Sequence, residues 1–467
     1  SPRSIITLWC LVTAFWIPYF VAYFPGVYWY DTSWQLMEYY DPSVPFTDHH
    51  PFMMTYLYVG FAHIGKALFN NATYGLYLLV LVQSLLSTLA IACTVCYTGK
   101  YNIPWKCRFF IAVFLTFFPI IPMMSMSLAK DTFNTPFFVF FSIAFCELWR
   151  TQGTILKSVS FDVFFIADAL AVSLTKKTGM YIIVLALLLL ACFVVKHWSY
   201  KIATIVLGGV PYLVVGIIVP TFILPALHIA PGESNEILAV PMQQVANVVH
   251  NHKDDLSVAE IDEIQQIYHM DIGQLQDAYC WYKADPIKGQ ELSSKDEHAL
   301  ITTWTKQLVK HPGDMIAGWG GLSVAWFSFN VASGEEQDLS MMRPINNSKH
   351  HYQNIEQYMP WTDNTKAGNA IGQFYADTLS ATPILNIIWQ KAFWATILPF
   401  AIMFLILRSK KNKLNLLMLN LPMFITMLVL FAGPCSTHTE ATRYVLPMLY
   451  IIPLFLSLTL KHLPEES

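Results

Sequence analysis

The chain has 467 residues, of which 55% are hydrophobic and only 13% are charged, and its formal net charge is −3. Its apolar residues come in runs of about 17 to 25 rather than in amphipathic stripes, which indicates an integral membrane protein. The net charge is small and no basic block stands free of a membrane boundary. Nucleic acid is therefore excluded as an expected partner.

This pattern predicts an all-α polytopic membrane protein with about ten transmembrane helices. The predicted spans cover residues 5–24, 75–98, 109–124, 132–149, 158–174, 179–195, 202–224, 385–407, 414–432 and 442–460. A further apolar stretch at 52–69 contains His63 and Lys66, which argue against a span. The chain thus divides into an amino-terminal bundle (1–224), a polar segment (225–382) and a carboxy-terminal bundle (383–467).

The distribution of Lys and Arg predicts the orientation, because cytoplasmic loops are enriched in both. With a cytoplasmic amino terminus, Arg108, Arg150 and Lys411 all fall in cytoplasmic loops. The short outer loops then hold few cations, mainly Lys130, Lys176, Lys177 and Arg443. The first outer loop (25–51) and the polar segment (225–382) are accordingly expected on the extracytoplasmic face of the cell membrane.

The first half of the polar segment is predicted to be helical. Ser257–Glu260 and Ser294–Glu297 each fit a capping box, in which a Ser hydroxyl and a Glu carboxylate satisfy free amides of the first helical turn. Residues 313–330 are apolar and Gly-rich, which favours a helix at the membrane interface. The stretch 331–382 is polar and is expected to loop back over the bundle.

Polar residues gather at the same end of several predicted spans. They are Asp31, Asp48-His49-His50, Lys130-Asp131, Lys176-Lys177 and Glu440 with Arg443. Each charge would cost about 2.5 kcal/mol or more in hydrocarbon unless it were paired or hydrated. A shared polar cavity on the outer face is the economical explanation.

Such a cavity has the parts for glycosyl transfer from a lipid-phosphate donor. Asp31 lies between interface aromatics and is the candidate general base, ionised at neutral pH with an ordinary carboxyl pKa near 4. The candidate holders of the donor phosphate are Lys130, Lys176, Lys177 and Arg443, whose charge persists as negative charge builds on the leaving group.

Further residues are candidates for handling the substrates. Asp48, His49 and His50 are candidate catalytic residues that position the acceptor or assist the base. The candidate substrate-binding residues are Asp131, Gln35, Gln243 and Gln244, of which the two adjacent Gln side chains can hydrogen-bond sugar hydroxyls.

Each of these features also has a purely structural interpretation. Asp31 fits a helix N-cap, and Asp48–His50 fits a turn whose adjacent imidazoles point in different directions. Lys130–Asp131 can neutralise itself, and Lys176–Lys177 can anchor the chain at lipid headgroups. Arg443 is the hardest to explain structurally, because it lies one residue inside an apolar span.

Several common catalytic motifs do not occur in the sequence. It has no P-loop, no Asp-x-Asp motif, no Cys/His zinc spacing and no Gly-x-Ser-x-Gly elbow. The sequence therefore assigns no certain cofactor and leaves a divalent metal as a candidate. The inner loops are too short to form a domain for a nucleotide-sugar donor on the cytoplasmic side.

A set of short motifs, in order, resembles a known family. The motifs are Tyr30-Asp31-Thr32-x-x-Gln35, His50-Pro51, Lys130-Asp131, Lys177-x-Gly179, Pro241–Ala246, Ala284–Lys288 and Arg443–Pro447. Together they resemble the bacterial membrane proteins of the DUF6020 group. That group in turn resembles the GT-C superfamily of polyprenyl-phosphate-sugar-dependent glycosyltransferases.

The resemblance implies many transmembrane helices and a large first outer loop that carries the catalytic acid, at the position of Asp31. It also implies an undecaprenyl-phosphate-linked sugar donor and inversion at the anomeric carbon. Many GT-C enzymes place a second acid beside the first for a divalent metal or the acceptor. Only Asp48 and Asp131 are candidates for that acid here, so metal dependence stays open.

The leading hypothesis is an inverting membrane glycosyltransferase that moves a sugar from a polyprenyl-phosphate carrier to a cell-envelope glycan or lipid acceptor. The alternative is a transporter or flippase of lipid-linked or small polar substrates. Against it, the charges cluster at one face, and no pair of broken spans recurs in two halves of the chain. A non-catalytic scaffold would have no need of Asp31.

Overall fold

The computed structural model describes residues 2–232, 234–288, 292–330, 339, 366–433, 435–437 and 439–463. These residues are almost entirely helical, as the sequence predicts. Two short strands, β1 (Val27–Tyr28) and β2 (Ser127–Leu128), form a parallel pair in which Val27 lies opposite Ser127.

The helices follow the three blocks of the sequence. The amino-terminal block contains α1 (Pro2–Ala22), α2 (Tyr30–Tyr40), α3 (Phe52–Phe69), α4 (Ala72–Lys100), α5 (Trp105–Phe117), α6 (Ile120–Ser125), α7 (Lys130–Thr151), α8 (Val159–Thr175), α9 (Lys177–Phe193) and α10 (Trp198–Ala226). The polar segment contains α11 (Ala239–His252), α12 (Val258–Tyr268), α13 (Ile272–Ala278), α14 (Asp285–Lys288), α15 (Ser294–Lys310), α16 (Pro312–Phe327) and α17 (Lys366–Ala381). The carboxy-terminal block contains α18 (Pro383–Trp389), α19 (Phe393–Arg408), α20 (Lys413–Leu419), α21 (Leu421–Phe431) and α22 (Thr442–His462).

Five helices are long and apolar enough to cross a membrane, namely α1, α4, α7, α10 and α22. A sixth span results if α20 and α21, which meet at an angle of 66°, are counted as one. The predicted count of about ten spans is not supported. Hydrophobic runs show where the chain avoids water, and they do not show where a helix bends or stops.

The remaining predicted spans illustrate this difference. The run at 109–124 is divided between α5 and α6, and the run at 385–407 is divided between α18 and α19. Helices α8 and α9 have 17 residues each, which at 1.5 Å per residue is about 25 Å, short of a hydrocarbon core of about 30 Å.

The centre of the bundle is formed by α4, α7 and α22. In their most apolar stretches 61%, 78% and 67% of the residues are buried, compared with 17% in α1 and 28% in α10. The outer helices therefore present apolar surface outward, as helices in contact with lipid do. The three central helices also carry the charged residues discussed below at their ends.

Helices α3 and α4 cross closely through small residues. A Cβ atom added to Gly65 would lie 2.2 Å from the backbone nitrogen of Gly75, so only glycine allows this approach. The turn between the two helices ends at Asn71, whose side chain accepts a hydrogen bond from the Thr73 amide at 2.9 Å. This packing fixes the position of α3, which begins directly after the His49-His50 turn.

The polar segment has a hydrophobic core of its own. That core contains Met242, Val245, Ala246, Val249, Ile264, Ile267, Leu275, Ile287 and Leu300. The predicted capping box at Ser257 and Glu260 is confirmed, with the Ser257 amide donating to the Glu260 carboxylate at 2.8 Å. The second box was predicted one residue too late, because the N-cap is Ser293 and its partner is Asp296. Most of the stretch 331–365 lies outside the described residues.

Candidate functional site

The β1–β2 pair brings two helix starts together. Strand β1 is followed by α2, which begins at Tyr30, and strand β2 is followed by α7, which begins at Lys130. The Thr32 hydroxyl donates a hydrogen bond to the Leu128 carbonyl and joins the two turns. Asp31, the second residue of α2, therefore lies beside Lys130.

Asp31 is surrounded by cationic and basic groups. The Arg443 guanidinium donates a hydrogen bond to Oδ2 of Asp31. The same oxygen lies 3.6 Å from Lys130 Nζ and 3.9 Å from His50 Nδ1. Burial raises the pKa of Asp31, but the positive charges of Arg443 and Lys130 outweigh burial and hold that pKa far below its usual range. The N-cap of α2 is Trp29, so the interpretation of Asp31 as an N-cap is wrong.

His50 accepts a hydrogen bond from Lys130, with 2.8 Å between Nδ1 and Nζ. Burial, and then the neighbouring Lys130 charge, hold the pKa of His50 well below its usual value. His50 is therefore neutral at pH 7, with Nδ1 as the acceptor. The His49 ring lies edge-on to it, with 4.6 Å between ring centroids.

Arg443, the second residue of α22, is the most connected cation of the site. Its side chain is only 5% exposed and lies between Asp31 and Asp131, with 3.7 Å between its Nε and Asp131 Oδ2. It also lies 3.6 Å from a Glu440 oxygen and donates to the Tyr444 hydroxyl at 3.0 Å. A buried guanidinium needs such compensation, because an unpaired one would be strongly destabilising.

The two lysines at the start of α9 bind acids outside the Asp31 contacts. Lys176 Nζ lies 2.5 Å from Oδ1 of Asp131, whose side chain is fully buried. Lys177 Nζ lies 2.7 Å from Oδ2 of Asp48. Lys130 pairs with Asp31, and Asp131 pairs with Lys176. The interpretation of Lys130–Asp131 as a pair that neutralises itself is therefore wrong. Simple anchoring of Lys176 at headgroups is equally wrong.

Several predicted site residues make internal contacts. Asp48 accepts a hydrogen bond from the Phe52 amide at 3.0 Å at the start of α3. Gln35 donates to the Thr55 hydroxyl at 2.9 Å. Gln243 donates to the Cys280 carbonyl at 2.6 Å and Gln244 to the Met315 carbonyl at 2.7 Å.

A cavity of about 690 Å³ opens over Asp31. It is lined by Tyr30, Asp31, Trp34, His49, His50, Lys130, Glu236, Lys283, Asp285, Lys288, Cys435, Glu440, Ala441, Arg443 and Tyr444. Its size is within the range of about 300–1,000 Å³ that is typical of small-molecule sites. Of the predicted residues, the cavity brings together Asp31, His49, His50, Lys130 and Arg443 and leaves the others outside its lining.

The polar segment contributes a wall that sequence reasoning missed. Lys288 pairs with Glu236 at 2.5 Å and with Asp285 at 2.7 Å, and Lys283 lies 3.7 Å from Asp285. The only sequence signal was the Ala284–Lys288 motif, which carried the resemblance and gave no indication of what it would face. With four acids and four cations in its lining, the cavity is formally balanced when both histidines are neutral.

A divalent metal does not fit at Asp31. Arg443 and Lys130 already meet Oδ2 and would repel a second cation there. The two candidates for a second acid, Asp48 and Asp131, are each paired with a lysine. We therefore assign no metal to this cavity.

Comparison with known proteins gives one match. A family described as "Family of unknown function (DUF6020)" matches residues 39–466. No curated protein and no solved structure matches the chain significantly, so these comparisons do not support the GT-C resemblance. The match covers nearly the whole chain, and the protein therefore belongs to the DUF6020 family.

Proposed function

We propose that this protein is an inverting membrane glycosyltransferase that uses a polyprenyl-phosphate-linked sugar, with Asp31 as the general base. The observation that carries the proposal is the Asp31 carboxylate, 14% exposed at the wall of a polar cavity and in contact with both Arg443 and Lys130. A carboxylate and two cations at one point match the needs of a reaction that releases a proton and a phosphate.

The proposed chemistry is a single displacement. An acceptor hydroxyl attacks the anomeric carbon from the face opposite the phosphate, and the bond between that carbon and the phosphate oxygen breaks. The hydroxyl proton passes to Asp31, and the polyprenyl phosphate leaves with the bonding electron pair. Arg443 and Lys130 stabilise the charge that builds on the leaving phosphate.

The low pKa of Asp31 requires an explanation, because a strongly stabilised carboxylate is a weak base. Arg443 and Lys130 are the groups that would also bind the donor phosphate. When the phosphate engages them, their hold on Asp31 weakens and its proton affinity rises. Donor binding would thus activate the base, and Asp31 would remain ionised in the empty site without reacting.

Acceptor and sugar specificity would come from the remainder of the cavity. Trp34, Tyr30 and Tyr444 offer aromatic faces for sugar rings, and His49 and the neutral His50 offer ring nitrogens to hydroxyls. Lys283, Lys288 and Glu236 on the opposite wall come from the polar segment, which would select the acceptor. The acceptor class is a cell-envelope glycan or lipid on the extracytoplasmic face.

The test is sugar transfer in proteoliposomes with a panel of polyprenyl-phosphate sugars. Asp31→Asn keeps the shape of the side chain and removes the base, so we expect transfer to fall by at least about 100-fold. Asp262→Asn, which removes an exposed acid of α12 that does not line the cavity, is the matched control and should retain the wild-type activity. Release of polyprenyl phosphate by the wild type is the positive signal.

Two results would contradict the proposal. Full transfer by Asp31→Asn would rule out Asp31 as the base. No transfer by the wild type from any donor would favour a transporter or flippase, which the same vesicles would reveal by movement of the lipid-linked sugar across the bilayer.

A further inference from the structure

A second cluster of polar side chains lies in the polar segment, where the end of α11 meets the start of α16. It consists of His252, His311 and Asp314, with Asp255 and Asn251 beside them. One nitrogen of each imidazole and one oxygen of Asp314 all lie within 4.8 Å of one another. This cluster has no part in the cavity over Asp31.

Two imidazoles and a carboxylate are the ligands that Zn²⁺ takes in many protein sites. Nε2 of His252 lies 3.0 Å from Oδ2 of Asp314, and the His252 and His311 rings stack with 4.4 Å between centroids. Among the described residues, the buried Nε2 of His311 has no hydrogen-bond partner. A buried polar atom without a partner is uncommon and calls for a ligand or an ion.

The surrounding contacts orient these groups as they are oriented at metal sites. Asp255 lies 3.1 Å from Nδ1 of His252, which leaves Nε2 of that ring as the donor of an electron pair. Asn251 donates to Oδ1 of Asp314 at 2.9 Å, so Oδ2 is the oxygen left to face the imidazoles. The carboxylate–histidine pair and the hydrogen-bonded carboxylate both match the outer contacts of zinc ligands.

We propose that His252, His311 and Asp314 bind one divalent transition-metal ion, with Zn²⁺ the best match and water in the fourth position. Helix α11 has 14 residues, so about 20 Å of helix separates His252 from the start of α11, which follows Glu236 of the cavity lining by three positions. The ion would therefore act away from Asp31. It would clamp α11 to α16, whose contacts include the Gln244–Met315 hydrogen bond, and so hold the segment that supplies the far wall of the cavity.

The experiment uses the full chain in detergent, purified with a tag that contains no histidine and stripped with a chelator. Titration calorimetry with Zn²⁺ should give about one ion per chain, and Co²⁺ should give the visible absorption of a four-coordinate site. Zn²⁺ should also raise the melting temperature. His311→Ala and Asp314→Asn should abolish binding, and Asp255→Asn should weaken it by about 10- to 100-fold.

The matched control is His250→Ala, which removes an imidazole two residues from His252 whose ring lies against Tyr279 instead. Its affinity for Zn²⁺ should equal that of the wild type. Each variant is compared with the chelated wild type by its melting temperature, so that a folding defect is distinguished from a lost ligand. Asp314→Asn preserves the size of the side chain and its acceptor for Asn251.

The proposal fails if the stripped wild type binds no stoichiometric Zn²⁺, in which case His252 is a protonated imidazole held between Asp255 and Asp314. It also fails if His311→Ala and Asp314→Asn bind as tightly as the wild type. Neither result depends on glycosyl transfer, so the metal site and the function of the cavity are tested separately.

Discussion

The two ends of α7 carry two different kinds of charged cluster. At its end, Glu147 pairs with Arg150 at 2.7 Å and with Lys100 of α4 at 2.8 Å, and both cations are 40% or more exposed. At its start, Asp131 is completely buried and Lys130 is 17% exposed. In the first cluster a buried Glu147 is compensated by two cations that stay exposed to solvent. In the second cluster the cations are largely buried as well, and Arg443 comes from the far end of the chain.

The difference favours the start of α7 as the end with the proposed function. A cation is unfavourable at a helix start, where the helix dipole is positive, whereas Arg150 is well placed at a helix end. Buried ion pairs seldom stabilise more than apolar residues of the same shape would. Lys130 thus destabilises the start of α7, and its ion pair does not fully offset that free energy. A role of Lys130 and Asp31 in the cavity would explain why a lysine occupies this position.

The largest expected effect is that of Arg443→Gln, which removes the guanidinium shared by Asp31 and Asp131. The fully buried Asp131 and the largely buried Asp31 would lose their common cation, at a cost of about 3–5 kcal/mol in stability. Transfer should fall by at least about 100-fold because the leaving phosphate loses a donor. Melting in detergent and the proteoliposome assay measure the two effects. An unchanged melting temperature would show that the buried charges at the start of α7 do not depend on Arg443 for their stability, and it would contradict the contrast with the exposed cations at the other end of the helix.

Next in size is the effect of Lys176→Met, compared with Lys177→Met. Lys176 is the close partner of the fully buried Asp131, so its loss should cost about 3 kcal/mol. Lys177 is 42% exposed and its loss should cost less, about 1 kcal/mol. The double variant Lys176→Met/Asp131→Asn should recover part of the lost stability. Equal melting temperatures for the two single variants would contradict the difference in burial.

A smaller and pH-dependent effect is expected of Glu38→Gln on α2. Burial raises the pKa of Glu38 to about 7, although Thr47 donates to its carboxylate at 2.5 Å. Between the ordinary carboxyl pKa and about 7, the folded protein binds more protons here than the unfolded chain, so stability falls as pH rises through that window. The variant should therefore have the same melting temperature as the wild type at pH 4, and it should be about 1–2 kcal/mol more stable than the wild type at pH 8. A constant difference across this range would exclude titration of Glu38 as the cause.

The smallest expected effect is that of Arg150→Gln at the end of α7. Because the Glu147 pair is partly exposed and Lys100 remains, stability should change by less than about 1 kcal/mol. Sugar transfer should stay at the wild-type level. A large loss of transfer would overturn the contrast between the two ends of the helix.

Sequence reasoning identified side chains that meet in space although they are far apart in the chain. Asp31 and Arg443 are 412 residues apart, yet both were predicted at the same face because both follow or begin an apolar run. Charge in an apolar context is a strong signal, since it needs compensation wherever it occurs. The all-helical fold and the capping box at Ser257 were predictable for similarly local reasons.

Pairing and helix ends were not predictable from the sequence in the same way. Nothing local distinguishes Lys130, which meets Asp31, from Lys176, which meets Asp131. The bend of 66° between α20 and α21 lies at Asn420, and the hydropathy of the surrounding run shows neither the bend nor its angle. Lys283 and Lys288 reach the cavity only because the polar segment folds over it, and no periodicity in the sequence indicates that contact.

The two-residue pairing of β1 with β2 also sets the distance between the two helix starts that follow the strands. Asp31 lies three positions after Tyr28 and Lys130 lies two positions after Leu128, so the pairing of the strands fixes the distance between the two side chains. Deleting one residue from either connection would displace one helix start by about 3.3 Å, roughly the length of a hydrogen bond. Insertions and deletions at these connections should therefore reduce activity as much as substitution of the charged residues does. Longer loops far from the β1–β2 pair should be tolerated.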